Sequence, residues 1–159
     1  TLFCFLRRSS GECRVVLGDA RRSLAATDER YDLMVLDAYT SDAIPVHLLT
    51  REALRLYVNR LAPEGVIAFH LSNRYFDLVP VVARLAADAG LECRVGSQHG
   101  ITRQRLKSER IAPSTYAIVA RSAAHFGALA ADSNWIRPEP RPGTPLWTDD
   151  FSSLLAVFR

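Results

Sequence analysis

The sequence has few cysteines and no long apolar run, and both absences exclude classes of protein. Its 159 residues include three cysteines, Cys4, Cys13 and Cys93, and none belongs to a Cys-x-x-Cys pair. This pattern argues against a disulfide framework or a zinc site and favours reduced cysteines in the core. No stretch approaches the roughly 20 apolar residues that span a bilayer, and the first residues are too few for a signal peptide. We therefore expect a cytoplasmic protein without membrane contact and without bound metal.

Basic residues outnumber acidic ones, but they form no stripe of the kind that binds nucleic acid. The formal net charge is +3, and the arginines are scattered along the chain. The one dense basic run contains no aromatic residue on which a base could stack, and its members are Arg103, Arg105, Lys107 and Arg110. We expect a solvated loop here and no nucleic-acid partner.

Strand and helix patterns alternate along the chain, which is typical of an α/β protein. With 48% hydrophobic and 23% charged residues, the chain suits one soluble domain with a substantial core. Strands are predicted at 13–17, 33–36, 66–71, 91–95 and 115–120, and helices at 20–26, 51–61, 76–89 and 123–131. The long segment between the last two strands is a candidate lid or a disordered loop.

The C-terminal part of the chain has a different composition. Residues 137–145 contain four prolines, which exclude regular secondary structure. Residues 146–155 pair bulky apolar side chains with the adjacent acids Asp149 and Asp150. We therefore expect residues 137–159 to form an extended strap that packs back on the single domain.

Two carboxylates follow the apolar strand at 33–36, and they are the strongest functional signal. Asp37 is the first charge after the strand, and Asp42 lies in the loop beyond it. The carboxyl ends of buried strands are the usual place for an α/β active site. The structural alternatives are a strand-end turn for Asp37 and an Asx-turn ahead of Pro45 for Asp42. The four histidines form no metal set, and His70 is expected to be an ordinary residue alternating within its strand.

Several segments together resemble the spermidine synthase family, most closely its bacterial spermidine synthase-like branch. They are Val15-Val-Leu-Gly-Asp-Ala-Arg21, Tyr31-Asp-Leu-Met-Val-Leu-Asp37, Ser41-Asp-Ala-Ile-Pro-Val-His-Leu-Leu-Thr50, His70-Leu-Ser-Asn-Arg-Tyr75 and Trp147-Thr-Asp-Asp-Phe151. The resemblance covers nearly the whole chain, and some members of that branch are fused to membrane transporter-like segments. Each segment alone would be a weak signal.

The resemblance implies a Rossmann-like fold of the type found in S-adenosylmethionine-dependent methyltransferases. It also implies transfer of an aminopropyl group from decarboxylated S-adenosylmethionine, as co-substrate, to a diamine such as putrescine. Asp37 matches the family's catalytic acid, which orients the attacking amine and assists its deprotonation. Asp42 resembles the second acid, which binds the amine.

The same resemblance assigns the segment Gly18-Asp19-Ala20 to the nucleoside, and it makes Asp37 a contact of this co-substrate as well as the catalytic acid. Asp19 matches the position that accepts a hydrogen bond from the adenine amino group, and Gly18 allows the backbone to approach the ring. Asp19 is also a candidate N-cap for the helix at 20–26, and the two roles are compatible.

Four further polar residues are candidates for substrate binding. Ser72 and Asn73 follow the fifth strand of the family's fold, where they would either line the cleft or turn the chain. Asp149 and Asp150 could contact a polyamine, although adjacent acids are more often solvated or paired with arginine.

The chain also departs from the family pattern. Four residues separate Asp37 from Asp42 where the family has two, and Ala112 stands where the family has a tyrosine before Pro-Ser. These differences leave the acceptor amine open.

A further departure concerns the nucleoside half of the fold. The full fold has the sheet order 3-2-1-4-5-7-6 with an antiparallel terminal strand, but no Gly-x-Gly precedes Gly18. We expect a sheet that lacks the first two strands, through an N-terminal truncation or through collapse of residues 13–17 directly against residues 33–36. Aminopropyl transfer remains the main hypothesis. The alternatives are an S-adenosylmethionine-dependent methyltransferase and an inactive remnant that pairs its exposed sheet edge with a second copy or with a missing N-terminal segment.

Overall fold

The computed structural model describes residues 8–37, 45–97, 108, 113–139 and 141–159. The helices are α1 (Ala20–Ala25), α2 (Arg51–Arg60) and α3 (Val79–Asp88). The strands are β1 (Tyr31–Leu36), β2 (Leu61–His70), β3 (Glu92–Ser97), β4 (Thr115–Ala120) and β5 (Trp135–Ile136), and 3-10 segments span Val46–Leu48, Ala123–Ala130 and Leu155–Val157. The predicted α/β class is confirmed.

The strands form one mixed sheet in the order β1-β2-β4-β3-β5. β1 and β2 are parallel, and helix α2 connects them. β4 lies antiparallel between β2 and β3. If β1 and β2 are the fourth and fifth strands of the methyltransferase-type sheet, this order reproduces its 4-5-7-6 half, including the antiparallel strand. The predicted fold class is therefore confirmed by the topology.

Residues 13–17 were predicted to form a strand, and this prediction is wrong. The segment lies outside the sheet, and the side chains of Val15, Val16 and Leu17 are 65%, 58% and 91% exposed. A strand needs a neighbour to satisfy its backbone groups, and β1 does not pair with this segment. The expected collapse of residues 13–17 directly against β1 is therefore wrong as well.

The continuous apolar run of β1 is typical of a strand that is covered on both faces. Met34 and Leu36 do pack against the main core. Leu33 and Val35 point to the opposite face and are 57% and 54% exposed. Within the described residues β1 is the outer strand of the sheet, so this face lacks the covering layer that an interior strand would have.

Other helix and strand ends differ from the prediction for local reasons. β2 starts at Leu61 because that residue already pairs with Tyr31. Gly65 fits the register shift there, since a Cβ atom at this position would lie 2.6 Å from the Tyr31 carbonyl oxygen. Helix α3 starts at Val79 rather than at Phe76, because Phe76 forms a bridge with Phe158. The segment at 123–130 is 3-10 rather than α-helical.

Two arginines donate hydrogen bonds to carbonyl oxygens at the ends of helices. The Arg121 guanidinium donates to the carbonyl oxygens of Val58 and Ala62, each at 2.6 Å, at the end of α2. Arg60 donates to the Leu24 carbonyl oxygen at 3.3 Å at the end of α1. Cations at helix C-termini satisfy carbonyl groups that have no partner within the helix.

The core lies between one face of the sheet and the helices α2 and α3. The C-terminal segment completes this layer through Trp147 and Val157, both 0% exposed. The Trp147 carbonyl oxygen accepts a hydrogen bond from the backbone N–H of Arg51, at 2.9 Å, so the segment docks on the first turn of α2. Phe151 and Leu155, in contrast, are 54% and 90% exposed.

The cysteines differ from one another in their surroundings. Cys93 is buried, as expected, and burial raises the pKa of its thiol to about 12. Cys13 is exposed, so its assignment to the core is wrong, because the strand predicted around it does not form. Cys4 lies outside the described residues. Among the residues described, no helix is long and apolar enough to cross a membrane.

Candidate functional site

Asp37 lies at the carboxyl end of β1, and its carboxylate is held by the neighbouring strand. The parallel register pairs Leu36 with Phe69, which places Asp37 beside His70. Asp37 Oδ1 lies 2.6 Å from His70 Nδ1, while 56% of the Asp37 side chain remains exposed. The residue is therefore fixed on one side and open to solvent on the other.

The His70 ring connects Asp37 to a second hydrogen-bonding group. Its Nε2 atom lies 2.7 Å from Ser72 Oγ, and Ser72 Oγ accepts the backbone N–H of Thr115 at 2.9 Å. The ring stacks on Tyr116, with 4.8 Å between centroids and 21° between planes. Only 23% of the His70 side chain is exposed. Asp37, His70 and Ser72 thus form a connected chain, called here the Asp-His-Ser chain.

Sequence reasoning missed His70, because strand alternation assigns a side chain to a face but does not identify its neighbour. A signal was available in the parallel pairing itself. If β1 and β2 are adjacent and parallel, the last residues of the two strands meet at one edge of the sheet. Asp37 and His70 are the polar residues at those ends.

Asp19 adopts the N-cap role that its position predicted. Its Oδ1 accepts the Arg22 backbone N–H at 2.8 Å, and its Oδ2 lies 3.5 Å from His47 Nε2. Gly18 precedes it with φ +133°, a conformation that favours glycine, so the glycine has a backbone reason apart from any ligand. Adenine binding by Asp19 stays a prediction; the cap takes one oxygen, and the other faces a half-exposed imidazole.

A cleft of about 440 Å³ extends from the segment predicted to bind the nucleoside to the predicted catalytic acid. Ala20, which follows Asp19, and Asp37 both line it. The rest of the lining is mainly apolar and comes from α1, β1 and the residues before and within α2: Leu24, Tyr31, Leu33, Met34, Val35, Leu36, Leu48 and Tyr57. The cleft runs along the outer edge of β1.

Ser72 and Asn73 lie where expected, and both have structural contacts. Asn73 Oδ1 accepts the backbone N–H groups of Tyr75 and Phe76, at 2.9 and 3.0 Å, which turns the chain after β2. Asn73 Nδ2 is buried and has no hydrogen-bond partner among the described residues. The turn interpretation of Asn73 therefore has direct support, and substrate contact by either residue stays a prediction.

Asp149 binds protein groups through both carboxylate oxygens. Its Oδ1 and Oδ2 accept hydrogen bonds from the two terminal nitrogens of Arg21, at 2.7 and 2.6 Å, and Oδ1 also accepts the Thr50 hydroxyl at 2.7 Å. Thr50 is in turn the N-cap of α2. Asp149 thus ties the C-terminal segment to α1 and α2, which favours the arginine-paired interpretation over polyamine contact. Asp150 is exposed, and Asp42 lies outside the described residues.

The Arg21 guanidinium, together with the Thr50 hydroxyl, lowers the pKa of the Asp149 carboxyl. A carboxyl with a depressed folded-state pKa adds stability above its unfolded pKa, and this stability is lost as the pH falls through the folded pKa. We expect Asp149→Asn to lower the free energy of unfolding by about 1 kcal/mol at pH 7, discounted for a partly exposed pair. The difference should disappear at pH values below the folded pKa.

Urea unfolding at a series of pH values measures this effect. Asp150→Asn is the matched control, because the neighbouring carboxylate makes no hydrogen bond within the described residues and should leave stability unchanged. Equal effects of the two substitutions at pH 7 would contradict the docking role of Asp149.

No group of three or more His, Cys, Asp or Glu side chains in the described part of the chain is arranged to hold a metal ion. The candidate site consists of the Asp-His-Ser chain, the cleft along β1 and the Asp19 cap.

Comparison with known proteins adds little to this description. No protein-family model and no curated protein matches the chain. One solved structure that is similar is the crystal structure of MNMC2 from Aquifex aeolicus, with 20% identity over 76% of this chain and a TM-score of 0.47. The match covers 36% of that chain, so the present sequence spans about a third of its length. A similarity at this level supports no conclusion about function, and the fold assignment rests on the sheet order.

Proposed function

We propose that these residues form the acceptor side of a site that transfers an alkyl group from an S-adenosyl sulfonium donor to an amine. One observation carries the proposal: an open carboxylate, Asp37, is held at the carboxyl end of β1 by His70. This is the edge of the sheet where α/β transferases place their chemistry. Within the described residues Asp37 Oδ2 makes no hydrogen bond, so it is available to an incoming N–H group.

The chemistry requires a base near the amine. The amine nitrogen attacks the carbon next to the sulfonium, the C–S bond breaks, and its electron pair stays on the sulfur of the leaving thioether. The new C–N bond leaves a proton on nitrogen, and Asp37 is positioned to accept it. The donor supplies the activated carbon. The chain supplies the orientation of the amine and the proton acceptor.

The described residues fit part of such a donor. Asp19 Oδ2 and the cleft beside Ala20 suit the adenine end, and Asp37 suits the reacting end. Among the residues described, no glycine-rich turn or acid is placed to hold the ribose or the methionine portion. We therefore expect the isolated 159-residue chain to bind S-adenosyl nucleosides weakly.

The finer assignment is aminopropyl transfer from decarboxylated S-adenosylmethionine to a diamine such as putrescine. It is supported by the segments that resemble the spermidine synthase family, above all the strand ending at Asp37. The wider spacing between Asp37 and Asp42 favours the second candidate, methyl transfer from S-adenosylmethionine, because the family's paired acids are not reproduced. Both candidates use the same sheet and the same base.

Product analysis separates the candidates. The natural gene product that carries these residues is incubated with putrescine and either donor, and the products are identified by mass spectrometry. We expect N-aminopropylated putrescine from the decarboxylated donor. A methylated product from S-adenosylmethionine would support the second candidate and overturn the first. No product from either donor, together with concentration-dependent dimerisation of the chain, would contradict the transferase proposal.

A further inference from the structure

We propose that His70 is the positioning residue for Asp37, holding its carboxylate through a hydrogen-bond chain whose direction is set by the backbone of β4. The proposal rests on the proposed function for its consequence in transfer. The contacts of His70 do not depend on the proposed function, and neither does the NMR measurement that tests them first.

The Thr115 backbone N–H determines which atoms donate and which accept in the Asp-His-Ser chain. The Thr115 backbone N–H can only donate, and Ser72 Oγ accepts it at 2.9 Å. Ser72 Oγ can therefore use its own proton as a donor to His70 Nε2, 2.7 Å away. Nε2 is then the acceptor nitrogen of a neutral imidazole, which leaves the proton on Nδ1.

A proton on Nδ1 lets His70 donate a hydrogen bond to the Asp37 carboxylate. Asp37 Oδ1 lies 2.6 Å away, and an ionised carboxylate can only accept. One tautomer of neutral His70 thus satisfies Thr115, Ser72 and Asp37 at once. The opposite tautomer would place a lone pair of Nδ1 against the carboxylate.

The ring also has little freedom to turn away. Tyr116 on β4 stacks on it at 4.8 Å, and both ring nitrogens lie within hydrogen-bonding distance of a partner. Such restraint matters for Asp37, whose side chain is more than half exposed and would otherwise sample several rotamers. Fixing Oδ1 leaves Oδ2 available to the amine of the proposed reaction.

This arrangement permits proton transfer to Asp37 without ionising His70. When Oδ2 takes the proton from the new ammonium, Oδ1 still accepts the Nδ1–H bond. His70 therefore stays in place during the reaction, and it acts through Asp37 rather than on the substrate.

The same order of atoms occurs in hydrolases whose serine is a nucleophile. Here Ser72 Oγ accepts a backbone N–H from the adjacent strand, so part of its lone-pair density already has a partner. A structural role for Ser72 follows from this contact.

Nitrogen NMR of the histidine-labelled 159-residue chain tests the proposal without any donor. We expect His70 to show a protonated Nδ1 and an unprotonated Nε2, the reverse of the tautomer preferred by imidazole in water. Asp37→Asn and Ser72→Ala should each shift this balance towards Nε2–H, because each removes one of the two contacts that hold the proton on Nδ1. His47, which is 55% exposed, is an internal reference that should not respond to either substitution. Detection of the Nε2–H form in the wild-type chain would overturn the proposal.

A kinetic measurement on the natural gene product then tests the consequence. His70→Gln is expected to lower kcat by about 100-fold, because the base is misplaced, while KM for the donor is unchanged. A KM for the donor that rises by the same factor as kcat falls would overturn the positioning role. Covalent labelling of Ser72 by a fluorophosphonate would overturn it too. Absence of transfer in the wild type would contradict the proposed function alone, since the tautomer measurement does not depend on it.

Discussion

Replacement of Asp37 by Asn is expected to lower kcat for amine alkylation by about 10²- to 10⁴-fold, the range that a positioned general base contributes. The asparagine has nearly the same shape but cannot accept the proton released when the C–N bond forms. Binding of the donor should change little, since the nucleoside end of the site lies near Asp19.

The matched control for this substitution is Asp32→Asn. Asp32 is an exposed acid on the same strand, five residues away at its amino end, and it should not affect turnover. Kinetics and donor binding are measured on the natural gene product. Turnover within threefold of the wild type in the Asp37 variant would remove Asp37 from the role of base.

Replacement of Trp147 by Ala is expected to lower the free energy of unfolding by about 3–5 kcal/mol, the usual cost of removing a buried aromatic side chain. Trp147 is 0% exposed and packs with the main core, so the deletion leaves a cavity beneath α2. The C-terminal segment should also become more accessible to proteases, because Trp147 is its principal buried anchor.

Two further variants make the Trp147 prediction specific. Trp147→Phe should cost much less than Trp147→Ala. It keeps most of the apolar volume, and it removes a buried indole N–H that has no hydrogen-bond partner in the described part of the chain. Phe151→Ala, at a side chain that is 54% exposed in the same segment, should cost less than about 1 kcal/mol. Urea unfolding of the three variants measures these differences. Similar losses for Trp147→Ala and Phe151→Ala would contradict the assignment of Trp147 as the anchor.

Sequence patterns predicted much of the fold because most of the elements are local. The apolar runs of β2 and β4 and the Thr50 cap of α2 are each readable within a few residues. Residues 13–17 look equally strand-like, but a strand forms only beside a partner, and composition does not reveal whether the partner is present. The exposure of Leu33 and Val35 has the same origin.

The candidate site was less predictable, because its contacts are distant in sequence. Asp37 is conspicuous as the first charge after an apolar strand. Its partner His70 is 33 residues away and looks like any other alternating strand residue. Asp149 and Arg21 are 128 residues apart. The sequence around Asp149 therefore gives no indication that its carboxylate binds Arg21 of α1 and the N-cap residue of α2.

The central claim is that the Asp37 carboxylate, held by His70, receives an amine, and one NMR titration tests it most directly. Putrescine is added to the 159-residue chain while the ring signals of His70 are followed, with Asp37→Asn and Asp32→Asn measured in parallel. The account predicts a saturable shift of the His70 signals in the wild-type chain and in the Asp32 variant, and no shift in the Asp37 variant. A shift of equal size in the Asp37 variant, or none in the wild type, would contradict it.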